Sequence, residues 1–169
     1  RIFDILSFQV ENHPLEKCLI DKRNGMWESL STKKYFEYVN HISSALIAMG
    51  VKPQDKIALI STNNRSEWSI MDMAILQTGA ITVPLYPNIS PKDYKYILNH
   101  SESVFCFISD QEIYDKVFSI KTAVKSLKEI YAFDEIEGCK NWTELLTIGK
   151  EKWDEEKLNE AKSNVDAGA

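Results

Sequence analysis

The sequence predicts an α/β fold: a three-layer, mainly parallel sheet flanked by helices, with a small N-terminal hairpin. Three observations lead there. Helical and strand patterns alternate along the chain with short connections, as in βαβ units. The pentapeptide VFCFI at residues 104–108 is apolar throughout, which suits a strand buried on both faces of a parallel sheet. CLID and WESL flank KRNGM, whose Asn24-Gly25 pair favours a tight hairpin turn.

The first element is RIFDILSFQVENHP, with apolar residues at helical spacing interrupted by Asp4. That pattern predicts an amphipathic helix rather than the apolar region of a secretory leader. After the hairpin, Ser31 or Thr32 is placed to cap a helix in which Tyr35, Val39, Ile42, Leu46 and Met49 form one buried stripe. Gly50 then closes that helix in the left-handed conformation.

KIALIS at residues 56–61 reads as a short apolar strand. Asn64 followed by Glu67 has the form of a capping box for the next helix. That helix is apolar round most of its circumference, with only Asp72, Gln77 and Thr78 expected to be wet. Gly79 ends it, and residues 81–83 form a brief buried strand that Pro84 is expected to stop.

Ser90 caps a further helix with Pro91 at its first position, where the missing N–H costs nothing. Tyr94, Ile97 and Leu98 supply its apolar face. After VFCFI, Asp110 starts a helix that breaks before Leu127, and residues 129–133 form another strand. Asn141 and Glu144 repeat the capping-box pattern, and residues 151–164 read as one charged helix before a loose end.

The chain has 169 residues, 44% apolar and 27% charged, enough to bury a core as one domain without disulfide or metal. A net charge of -5 with no basic stripe argues against a nucleic-acid surface. Cys18, Cys106 and Cys139 are far apart and odd in number, which predicts reduced thiols in a cytoplasmic protein. The apolar run at residues 69–87 is interrupted by Asp72, Gln77, Gly79 and Pro84, so it does not read as a membrane span.

No complete active site is legible. The glycines at 25, 50, 79, 138, 149 and 168 are isolated, so neither a GxGxxG nor a GxxxxGK[ST] phosphate cradle exists. His13, His41 and His100 have no second ligand at metal spacing, and a surface or helix-end role explains them better than catalysis. Glu155 and Glu156 read as a solvated helix face, Cys106 as a small core hydrophobe, and Tyr86 as a core residue. A phosphate-accepting receiver domain would need acidic residues after the first core strand. KIALIS instead runs into Thr62 and Asn63.

Residues 50–103 carry a resemblance. GVKPQDKIAL, NNRSEW, GAITVPLYP and SPKDYKYILNHSES closely resemble the N-terminal part of adenylate-forming acyl-activating ligases. Within that AMP-binding family the match is most like bacterial long-chain fatty-acid–CoA ligases. STKKYFEYVNHISSAL resembles the helix that precedes these motifs there, so the likeness covers nearly the whole chain in order and spacing.

The resemblance implies that residues 1–169 form an N-terminal subdomain, inactive alone. The phosphate loop, the adenine and ribose motifs and the C-terminal domain with its catalytic lysine are expected beyond the chain. It implies a parent enzyme that joins a fatty carboxylate to ATP as an acyl-adenylate and then passes the acyl group to CoA. ATP, Mg2+ and CoA would be bound by the parent, with none expected on this segment. No catalytic, cofactor-binding or metal residue of the family maps onto any position here. The implied partners are the remainder of the ligase, fatty acid, ATP and CoA. The reading admits a homodimer, a cytoplasmic location and at most peripheral contact with the inner membrane face. Two alternatives stand beside it: a ligase for an aryl or amino acid, and a standalone α/β interaction or regulatory domain.

Overall fold

The computed structural model describes residues 1–23 and 25–166; Asn24, half of the expected turn pair, and residues 167–169 lie outside the described residues. In chain order the elements are α1 (Ile2–Asn12), β1 (Leu19–Arg23), β2 (Met26–Leu30), α2 (Thr32–Ala48), β3 (Lys56–Ile60), α3 (Ser66–Gln77) and β4 (Ile81–Leu85). Then follow α4 (Pro91–Ser101), β5 (Phe105–Ile108), α5 (Gln111–Phe118), a 3-10 turn (Lys121–Ala123), β6 (Glu129–Ala132), β7 (Lys140–Asn141), α6 (Thr143–Glu151) and α7 (Glu155–Ser163). The chain divides into two compact units. One comprises Arg1–Val51, Arg65–Gly79 and Leu145–Ala169, the other Lys52–Asn64 and Ala80–Glu144.

The first unit is helical apart from the antiparallel hairpin β1–β2, in which Leu19 pairs with Leu30 and Arg23 with Met26. Ser31 caps α2, its Oγ accepting from the Lys34 N–H at 3.2 Å. The predicted stripe is real: Tyr35, Val39, Ile42 and Leu46 are buried, while Met49 is the half-exposed C-cap. Each fully buried aliphatic side chain there stabilises the unit by about 2 kcal/mol relative to exposure. Gly50 and Gly79 end α2 and α3 at φ +82° and +76°, as expected of helix-closing glycines.

Three expectations in this unit fail. Asn64 does not cap α3: Arg65 occupies the N-cap position without a capping bond from its own side chain, because Asp21 of β1 supplies the acceptor instead. Gln77 and Thr78 are not wet; they are 0% and 2% exposed. Ser43 on α2 donates to the Gln77 Oε1 at 2.9 Å, while Gln77 Nε2 stays without a partner among the described residues, and Thr78 Oγ1 donates to the Ile75 carbonyl at 2.7 Å. The charged helix at the end starts later than expected: Glu151 is the last residue of α6, and Asp154 caps α7, accepting from the Lys157 N–H at 3.1 Å.

The second unit holds a five-stranded sheet in the order β4-β3-β5-β6-β7, parallel at every pairing. One face carries Ala58, Ile60, Cys106, Ile108, Ile130 and Ala132, packed with Tyr94 and Leu98 of α4 and Ile113 and Val117 of α5. The opposite face carries Ile57, Leu59, Phe105, Phe107 and Tyr131, also buried, with Phe107 and Tyr131 stacked at 5.4 Å. Two-sided burial explains why VFCFI carries no polar residue. Ser90 and Asp93 form the predicted capping box on α4, and Asp110 caps α5. The two-residue β7 is too short to leave a sequence pattern.

Pro84 does not stop its strand. The ladder runs on through it, with Leu59 opposite Pro84 and Ile60 opposite Leu85. The reason is that β4 is an edge strand, and Ile81 is 38% exposed rather than buried. The Ile81 N–H donates to the Asp55 carbonyl, so residues 81, 83 and 85 turn their backbone groups towards β3. Residues 82, 84 and 86 turn theirs outward, and the proline removes a donor only from the free edge. Tyr86 is likewise not core: it is 82% exposed. The space beneath is filled by Tyr94, whose hydroxyl donates to the carbonyls of Tyr86 and Pro87 at 3.0 and 3.1 Å.

Candidate functional site

In an open parallel sheet the crevice for a ligand lies beyond the carboxyl ends of the strands, where the strand order reverses. Here the connection after β3 leads to β4 on one side, and the next leads back to β5 on the other. The switch point is therefore the pair of loops after β3 and β5, carrying Ser61, Thr62 and Asn63 and, opposite them, Ser109 and Asp110.

These residues form a polar cluster. The Thr62 N–H donates to Ser109 Oγ at 3.1 Å, and Thr62 Oγ1 donates to Asp110 Oδ2 at 2.9 Å. Ser109 Oγ donates to the same carboxylate oxygen at 2.6 Å, while Asp110 Oδ1 accepts from the Ile113 N–H at 3.2 Å. Burial opposes ionisation of Asp110, but the bonds from Ser109, Thr62 and Ile113 outweigh it and hold the carboxyl below its ordinary range. Ser61 Oγ closes the loop on the Asn63 carbonyl at 2.7 Å. The cluster ties the two loops together and caps α5. It holds one carboxylate, already engaged through both oxygens, and no glycine-rich cradle, so these residues do not fit a nucleotide phosphate or its magnesium ion.

A second constellation lies in the helical unit, and sequence reasoning missed it. Glu67 of α3, 1% exposed, sits between Arg23 Nη2 at 2.7 Å and Arg65 Nη2 at 3.0 Å. Arg23 also meets Asp21 at 3.2 Å. Burial opposes the charge on Glu67, yet the two guanidinium groups prevail and its carboxyl is held low. The available signal was the i,i+2 spacing of Asp21 and Arg23, which puts both on one face of a strand. This is a staple between hairpin and helix, since every charge has a charged partner within the cluster.

The histidines stay apart. His13 packs edge-on against Phe8, His100 stacks on Tyr96, and His41 meets Trp153 edge-on at 5.7 Å. Burial pushes the His41 pKa down. Among the described residues no three of His, Cys, Asp or Glu come together as a metal site. Cys18, Cys106 and Cys139 are free thiols, and burial pushes that of Cys106 up, which makes it inert. Glu156 lies on the exposed side of α7, as expected. No helix among the described residues is long and apolar enough to cross a membrane.

The fold is an open, parallel α/β scaffold whose switch point is closed by its own hydrogen bonds. An anthranilate CoA ligase solved with anthranoyl-AMP superposes with a TM-score of 0.73 at 21% identity, over 86% of this chain and 26% of that one. The AMP-binding enzyme model matches residues 6–167, and the chain belongs to that family. A long-chain-fatty-acid–CoA ligase of Mycobacterium bovis is 30% identical over 107 residues, 63% of this chain and 18% of that protein. Long chain acyl-CoA synthetase 1 of Arabidopsis thaliana is 30% identical over 167 residues, 89% of this chain and 25% of its own length. The chain thus spans a quarter or less of these relatives.

Proposed function

We propose that this chain is the N-terminal subdomain of an ATP-dependent long-chain fatty-acid–CoA ligase. The observation that carries the reading is the family match over residues 6–167. The fatty-acyl branch is favoured because the Mycobacterium bovis and Arabidopsis thaliana relatives, both about 30% identical, are named as long-chain enzymes. In this reading the parent condenses a fatty carboxylate with ATP, releasing pyrophosphate, and passes the acyl group to the CoA thiol, releasing AMP.

The phosphate loop, the magnesium-binding groups and the catalytic lysine belong to the remainder of the parent. This segment acts as scaffold: it supplies a rigid parallel sheet and a fixed exit at Pro84 and Pro87, and it has no activity of its own. The parent works in the cytoplasm, consistent with three free and well-separated thiols. It meets the inner membrane face only peripherally, and it is compatible with a homodimer.

The test is ATP–pyrophosphate exchange by the full reading frame, with palmitate and anthranilate in parallel and magnesium present. We expect palmitate-dependent exchange and formation of palmitoyl-CoA. The 169-residue chain alone should stay at the no-protein blank. Exchange with anthranilate alone would move the enzyme to the aryl-acid branch. Absence of exchange with either carboxylate would favour the interaction-domain reading.

A further inference from the structure

We draw no further inference here: the strongest candidate, the outward apolar stripe of Ile2, Ile5 and Phe8 on α1, 58–64% exposed, is an unpartnered helix face, and nothing in the structure shows what covers it.

Discussion

Asp21 caps a helix that begins 45 residues after it: both carboxylate oxygens accept from the Ser66 N–H, at 3.1 and 3.0 Å. A negative charge at a helix N-terminus satisfies an orphan donor and opposes the positive end of the helix dipole. Desolvation works against ionisation of Asp21, but the Ser66 bonds and Arg23 overcome it and its pKa is lowered. We expect Asp21→Ala to cost about 1–2 kcal/mol, the usual range for loss of a cap. Asp21→Asn, which keeps an acceptor, should cost less. Urea unfolding checks this, and an unchanged midpoint for the alanine variant would remove the cap from the account.

Glu129 predicts the acid behaviour. Burial opposes its charge, but Lys121 at 2.7 Å, Lys140 at 3.0 Å and the Ile130 N–H pull its pKa down to about 2. A carboxyl whose folded pKa lies below the unfolded one stabilises the fold above the unfolded value, and that stability is lost as pH falls through the folded value. The contribution should therefore be complete above about pH 5 and disappear progressively towards about pH 2. Glu129→Gln should flatten this part of the curve and lower stability at pH 7. Chemical denaturation of both proteins across that window measures it, and parallel curves would refute the assignment.

Gly149 of α6 lies against the backbone of α2 at His41. A Cβ built there would lie 1.9 Å from the His41 carbonyl oxygen, which is backbone and cannot swing aside. Gly149→Ala must push the two helices apart, and we expect a loss of about 3 kcal/mol or more, at or above the upper end for overpacking. Thermal unfolding should show a large drop in midpoint together with a change in Trp153 emission, because Trp153 packs on His41. A midpoint within a degree of the parent would mean the helices do not approach so closely.

Pro84 makes the opposite kind of prediction. Its nitrogen faces the free edge of β4, so Pro84→Val should break no bond to β3 and leave the thermal midpoint nearly unchanged. It would restore an outward N–H on an exposed edge, and edge donors of that kind template pairing with other chains. Light scattering at rising protein concentration should therefore increase relative to the parent. A clear loss of thermal stability without added scattering would contradict the edge geometry.

Local patterning made most of the elements legible. The stripe of α2, the box at Ser90 and Asp93, the cap at Asp110 and the two-faced burial of VFCFI each depend on neighbours within a few residues. The errors share a cause. Asn64 has the right spacing for a cap, but Asp21, distant in sequence, reaches Ser66 first. Residue type alone suggests a core Tyr86 and a strand-ending Pro84, whereas their exposure follows from β4 being the outermost strand. Gln77 looks polar in sequence and is buried because Ser43 on another helix meets it.

The sequence by itself determined the class of fold and most helix and strand boundaries to within a residue or two, apart from the end of α5, the short β7 and the start of α7, because propensity, capping and periodicity act over short spans. The motifs in residues 50–103 carried the likeness to acyl-activating ligases. Only the tertiary structure decided strand order, which strand is the edge, and which charges pair, since those depend on residues tens of positions apart. Strand order also decided that the switch point falls at Thr62 and Asp110, and hydrogen bonds across that crevice decided that it is closed upon itself. Buried charges must find partners wherever the fold brings them together, and Glu67 found Arg23 from 44 residues away.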